Sequence, residues 1–201
     1  MKNALALCTL FAVLCGFRIV FGQTTPSPYT DAEAYAVYSA IIDNEWPVRE
    51  AKAKKLAIQT ETGDYPSMGG EEPMCLVPAK GEEAIYGPVI DAYRDLNKKT
   101  WLLQPKLTAS VPYELVTKAT IQSIFEKGVD GWKDFYAKYP NSGGTITISA
   151  VGFNADKTVA IVYMGHSCGD LCGGGHYHVL QKTDGKWAEI RWKGRSCAWA
   201  S

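Results

Sequence analysis

Residues 166 to 178 read HSCGDLCGGGHYH, a stretch that holds all three histidines of the chain and two of its six cysteines. Imidazole nitrogens and thiolates are ligands for zinc or copper, so His166, Cys168, Cys172, His176 and His178 supply enough donors for a tetrahedral site. The same residues permit a second chemistry, in which Cys168 or Cys172 is a thiolate nucleophile, a nearby histidine is its base and Asp170 orients the base. A third reading is structural: Cys168 and Cys172 bond to each other and fix a glycine-rich turn. Neither chemistry has a strong signature, because CxxxC with HxH is not one of the established zinc spacings and a thiolate needs a reduced cysteine.

The redox compartment bears on all three. The chain opens MKNALALCTLFAVLCGFRIVFGQTTPSP, where Lys2 precedes an apolar run and a polar, proline-containing segment follows. That is the layout of a secretory signal over residues 1–22, with cleavage after Gly22 and a mature start at Gln23. Residues 4–21 are almost long enough for a membrane anchor, but Arg18 breaks the run where a span is most apolar. A lipid-attached Cys15 is disfavoured by the bulky Leu14 before it. A secreted or periplasmic chain exposes Cys75, Cys168, Cys172 and Cys197 to oxidising conditions, which predicts two disulfides from the three possible pairings.

Taking Lys2 and Arg18 from the 21 basic residues leaves 19 against 21 acidic ones. This near-neutral balance, without a basic patch, argues against nucleic acid and gives no reason to expect stable membrane insertion once the signal is removed. A phosphate loop, a nucleophile elbow and a recognisable carboxylate pair are all missing from the sequence, so no cofactor is expected and an enzymatic role is disfavoured. No partner can be named from the residues.

The elements that must position the histidines come next. After a linker over residues 23–30, Thr30 and Glu33 in TDAE predict a capping box for a helix with Tyr35, Tyr38, Ile41 and Ile42 on one face, ending near Trp46-Pro47. KKLAIQTET (54–62) reads as a strand, and residues 63–81 as a long loop carrying Cys75. A second helix is expected from Gly87-Pro88, with Val89, Tyr93 and Leu96 at helical spacing. Further helical turns are expected at TIQSIFEKG and DGWKDFYAKYP, the latter with an aromatic stripe of Trp132, Phe135, Tyr136 and Tyr139 that covers a face of the C-terminal sheet. From Thr145 short β-rich runs alternate with turn signals, which predicts an antiparallel meander. Residues 31–201 are thus expected to form one α+β domain, with N-terminal helices packed on a C-terminal antiparallel β-meander and lying on one face of the sheet.

The ordered set of Tyr139-Pro140, SAVGFN (149–154), AIVY (160–163), CGDLCGGG (168–175), GKW (185–187) and the terminal WAS resembles an uncharacterised family of secreted bacterial proteins. The resemblance covers the last third of the chain and implies a secreted location but no reaction. His176 and His178 lie outside the pattern.

Two hairpins decide the surroundings of the histidines. If 158–167 and 175–182 are neighbours, CGDLCGGG connects them and its glycines are expected to supply positive φ values. A compact turn brings Cys168 and Cys172 within bonding distance, leaving Cys75 to pair with Cys197. His176 and His178, two apart on a strand, share a face. A two-residue turn at Asp184-Gly185 would set them opposite Lys193 and Arg191; a three-residue turn would set them opposite Trp192 and Ile190. Neither register is expected to offer a carboxylate to orient an imidazole, although a backbone carbonyl could serve instead. The reading that follows is a disulfide-stapled binding or structural module. A metal-binding protein using His166, Cys168, Cys172, His176 and His178 is the alternative, and a thiol-dependent enzyme the third.

Overall fold

A computed structural model describes residues 26–63, 76–127 and 130–201. The expected signal over 1–22, Cys75 with the loop before it, and Gly128 lie outside the described residues. The N-terminal half runs β1 (Ser27–Pro28), α1 (Ala32–Ile41), a 3-10 turn (Ile42–Asn44), α2 (Trp46–Arg49), β2 (Leu56–Gln59) and β3 (Leu76–Val77). It continues with α3 (Glu83–Asn97), β4 (Trp101–Leu102), β5 (Tyr113–Val116), α4 (Lys118–Lys127) and α5 (Gly131–Lys138). The rest is β: β6 (Thr145–Ile148), β7 (Gly152–Phe153), β8 (Val159–Gly169), β9 (Cys172–Thr183), β10 (Lys186–Glu189), β11 (Arg195–Ser196) and β12 (Ala198–Ala200).

The fold is α+β, with N-terminal helices packed on a sheet whose larger part is the expected C-terminal meander. Eight strands share that sheet in the order β10-β9-β8-β6-β2-β5, with β12 also on β9 and β7 also on β8. The steps from β6 to β10 are antiparallel. β2 joins parallel to β6, and β5 joins parallel to β2. Parallel neighbours need a crossover rather than a hairpin, and α4 and α5 supply it between β5 and β6. The sheet is therefore mixed, and helices cover both of its faces rather than one. A strand buried on both faces must be apolar at successive positions, which explains the unbroken run VAIVYM in β8.

One face carries Leu56, Ile58, Ile146, Ile148, Val162, Met164 and Leu180, packed under Tyr35, Val37, Tyr38 and Ile41 of α1. The other carries Ile161, Tyr163, Tyr177 and Val179 against Val89, Ile90 and Tyr93 of α3. Near the β5 edge, Ala57 and Val116 pack against Phe135 of α5 and Tyr139, which caps its end. Phe135 and Tyr139 of the aromatic stripe are core, with Trp132 and Tyr136 partly buried beside them, and the stripe covers the parallel strands β2 and β5 rather than the meander.

Local details differ from the expected ones for identifiable reasons. Asp31, not Thr30, caps α1: its side chain accepts a hydrogen bond from the Glu33 backbone N–H. Glu33 itself accepts from Lys182 Nζ at 2.8 Å and Trp187 Nε1 at 2.9 Å, so it ties α1 to the β9–β10 hairpin instead of closing a capping box. α1 ends at Ile41 and the chain breaks into a 3-10 turn before α2. α3 starts four residues before Gly87, with Pro88 inside it.

Cys168 and Cys172 are joined, with α-carbons 5.0 Å apart, across a turn in which Gly169 pairs with Cys172. Cys197 is also disulfide-bonded. Ser196 pairs with Leu76, the residue after Cys75 in the chain. The glycines of the CGDLCGGG segment lie outside the positive-φ region; they serve to make room. A Cβ on Gly175 would lie 2.7 Å from Trp199 Nε1 and closer still to Tyr163 Oη.

Candidate functional site

The β8–β9 ladder sets the register that gathers the histidines. His166 faces Gly174, Met164 faces His176 and Val162 faces His178. Directly opposed residues of an antiparallel pair share a face, and alternate residues along a strand return to it. His166, His176 and His178 therefore all lie on the α1 side of the sheet, at the end where the apolar core of that face gives way to polar side chains. A Cβ on Gly174 would crowd the His166 ring at 3.3 Å.

Above them passes the segment between α1 and α2. Glu45 is extended (φ −75°, ψ 155°), which turns the chain back over the sheet before Trp46 and Pro47 open α2. The Trp46 ring stacks on His166 with centroids 4.9 Å apart and planes 2° from parallel. Glu45 is 6% exposed and His178 1% exposed. Glu45 Oε1 lies 3.1 Å from His178 Nε2, close enough for an ion pair. The alignment falls short of a hydrogen bond, and Nε2 has no hydrogen-bond partner among the described residues. On the other side of the ring, His178 Nδ1 lies 2.9 Å from Glu189 Oε1. The His176 and His178 rings are 4.1 Å apart.

This corrects the expectation that no carboxylate meets an imidazole. Asp184 (φ 51°) and Gly185 (φ 77°) form a two-residue turn, and the ladder runs from Lys186 opposite Thr183 to Glu189 opposite Leu180. It stops there, before Arg191 could face His178. Glu189 shares the His178 face as its diagonal neighbour, which a long side chain can reach. Comparing only directly opposed residues misses it, although the two-residue register read from Asp184-Gly185 contained it.

The three imidazoles differ electrostatically. Burial alone would lower His178, but the hydrogen bond to Glu189, the contact with Glu45 and the charges of both outweigh it and raise the ring to about 9. Glu189 is held below the usual carboxylate range, chiefly by its bond to His178. Burial holds His166 below its ordinary value against the charge of Glu45. Burial and then the neighbouring His178 do the same for His176. The site thus combines two neutral imidazoles with one imidazolium held between two carboxylates.

A cavity of about 280 Å³ opens over this group, lined by Asn44, Glu45, Trp46, His166, Gly174, Gly175, His176, Ala198 and Trp199. Trp199 arrives through β12, which pairs with β9 at Gly174 to His176, and donates from Nε1 to Tyr163 Oη at 2.6 Å. Of the five residues in the sequence-derived metal set, His176 and His178 converge with Glu45, their ligand atoms within 4.8 Å of one another. His166 stands beside them on the cavity wall. Cys168 and Cys172 are committed to their disulfide and have no thiolate to offer a metal or a substrate. Glu45, Trp46, Glu189 and Trp199 are the members that sequence reading did not select.

No family model, no curated protein and no solved structure matches the chain. Among the described residues, no helix is long and apolar enough to cross a membrane.

Proposed function

We propose that the protein is an extracytoplasmic, disulfide-stapled binding module whose ligand occupies the cavity between the Glu45-Trp46 segment and the histidine-bearing face of β8 and β9. One observation carries this reading: His166, His176, the stacked Trp46 ring and the buried Glu45 line a cavity of about 280 Å³ over the sheet, with His178 buried beside Glu45 and His176. Ligand sites are concave, with aromatic walls and a few placed polar groups, and they work best on elements that do not move. The Cys168–Cys172 bond supplies part of that rigidity. A Cys75–Cys197 bond, supported by the pairing of Ser196 with Leu76, would anchor the β12 strand that carries Trp199.

The extracytoplasmic location is supported by the signal-like residues 1–22, by the disulfide and by the resemblance of the last third to secreted bacterial proteins. Intact mass of exported protein is expected to show a chain beginning at Gln23. A full-length chain retained in the membrane would contradict it.

The cavity reading is tested by a fragment screen followed by NMR on the exported protein. Hits are expected to shift the Trp46 indole signals and the His166 and His176 ring signals. Trp46→Ala should weaken them while leaving the fold intact. Hits that map only elsewhere, or none at all, would remove the reading.

A further inference from the structure

We infer that Glu45, His176 and His178 form a binding site for a divalent transition-metal ion of the zinc class at the floor of this cavity, with Glu189 orienting His178 as a positioning residue. The inference rests on reading the cavity as the ligand site and names the chemistry of its ligand. Two imidazole nitrogens and a carboxylate oxygen within 4.8 Å of one another form a three-ligand set suited to zinc, and a fourth position can open toward the cavity. Zinc bonds of about 2.0 to 2.1 Å set tetrahedral ligand atoms roughly 3.3 Å apart. His178 Nε2 and Glu45 Oε1 already stand 3.1 Å apart.

A second, independent feature points the same way. His178 is almost fully buried, yet its Nε2 has no hydrogen-bond partner among the described residues; it lies 3.1 Å from Glu45 Oε1, with the His176 ring 4.1 Å from its own. Buried polar atoms are nearly always satisfied, so an orphan aimed into a donor cluster marks a place for a ligand. The other nitrogen is held by Glu189 at 2.9 Å. A carboxylate on Nδ1 fixes the ring with Nε2 aimed at the cluster, the arrangement that supports a metal-bound histidine, and a metal taken up there would displace the Nε2 proton. Charge agrees: Glu45 lines the cavity, Glu189 stands behind it on His178 Nδ1, and among the described residues no lysine or arginine lines the cavity.

The competing account is a purely structural Glu45–His178–Glu189 ion triad. The two differ at His176, which is half-buried and is not needed by a triad. Exported protein purified without a metal-affinity tag and stripped with a chelator should take up one equivalent of zinc in a competition titration against a chromophoric chelator. Cobalt should give the visible bands of a tetrahedral centre. His176→Ala and Glu45→Gln should each weaken zinc binding at least tenfold. Glu189→Gln should weaken it about 10- to 100-fold, as loss of an orienting carboxylate does. The Cys168→Ser/Cys172→Ser double variant should retain the binding, because no sulfur is a ligand. Circular dichroism and a denaturant midpoint on each variant separate lost binding from lost folding.

Absence of stoichiometric zinc and cobalt binding, or binding indifferent to both His176→Ala and Glu45→Gln in folded protein, would overturn the metal site. If fragments still shift the Trp46 and His166 signals in that case, the cavity reading stands without the metal. If they do not, both fall.

Discussion

Glu189 Oε1 lies 2.9 Å from His178 Nδ1, diagonally across the β9–β10 hairpin, and that contact makes the most buried histidine of the chain also the most basic. A group whose pKa is higher folded than unfolded contributes stability that is fully present below the unfolded value and is lost as pH rises through the folded one. For His178 the window runs from its ordinary 6.5 up to about 9. Glu189 is shifted the other way, and its contribution is lost only as pH falls below the usual carboxylate range. In metal-free protein the urea midpoint should therefore fall between about pH 7 and pH 10. Glu189→Gln should lower the midpoint at pH 7 and flatten the alkaline fall. An unchanged midpoint and slope in the variant would show that the contact is not coupled to folding.

Gly175→Ala should destabilise the protein by roughly 1 to 3 kcal/mol, the usual cost of an extra methyl in a filled space. The new carbon would press on Trp199 Nε1 and Tyr163 Oη, the pair that docks β12. The local readout is faster amide hydrogen exchange at Ala198 to Ala200 than in the parent. Unchanged protection there would mean that the C-terminal strand is held by other contacts.

Phe135→Ala should cost about 3 to 5 kcal/mol. Phe135 has no exposed surface and fills the space between α5 and Ala57 and Val116 of the parallel strands. Denaturant unfolding measures it directly, and a parental midpoint would contradict the packing.

Replacing Cys168 and Cys172 together by serine should cost about 2 kcal/mol, since a loop this short removes little entropy from the unfolded chain. Tyr136 donates to the Cys168 carbonyl at 2.9 Å and should hold the turn near its place. Urea midpoints of the double variant and of the parent, both kept oxidised so that the bond at Cys197 stays closed, measure it. A collapse of the whole fold would give the bridge a larger role than its span allows.

Much of the scaffold is legible in the order of the residues because it depends on near neighbours. The β8–β9–β10 meander follows from β-branched runs parted by turn signals, the Cys168–Cys172 bond from a turn that brings residues four apart together, and a hairpin from Asp184-Gly185, though which of its two registers forms was decided by the structure. The shared face of His176 and His178 follows from strand pleating alone. What tertiary structure decided is everything that joins distant segments. The parallel addition of β2 and β5 depends on a crossover that no local pattern encodes, and it moves α5 to the second face of the sheet. Glu45 and Trp46 read as the frayed end of a helix until the break after α1 swings them over β8 and β9. Trp199 reads as a tail until β12 finds the edge of β9. His178 alone is a buried imidazole on a strand. Its partners come from residue 45 and residue 189, and side chains that far apart in sequence meet only because burial of the α1 face brings their backbones together.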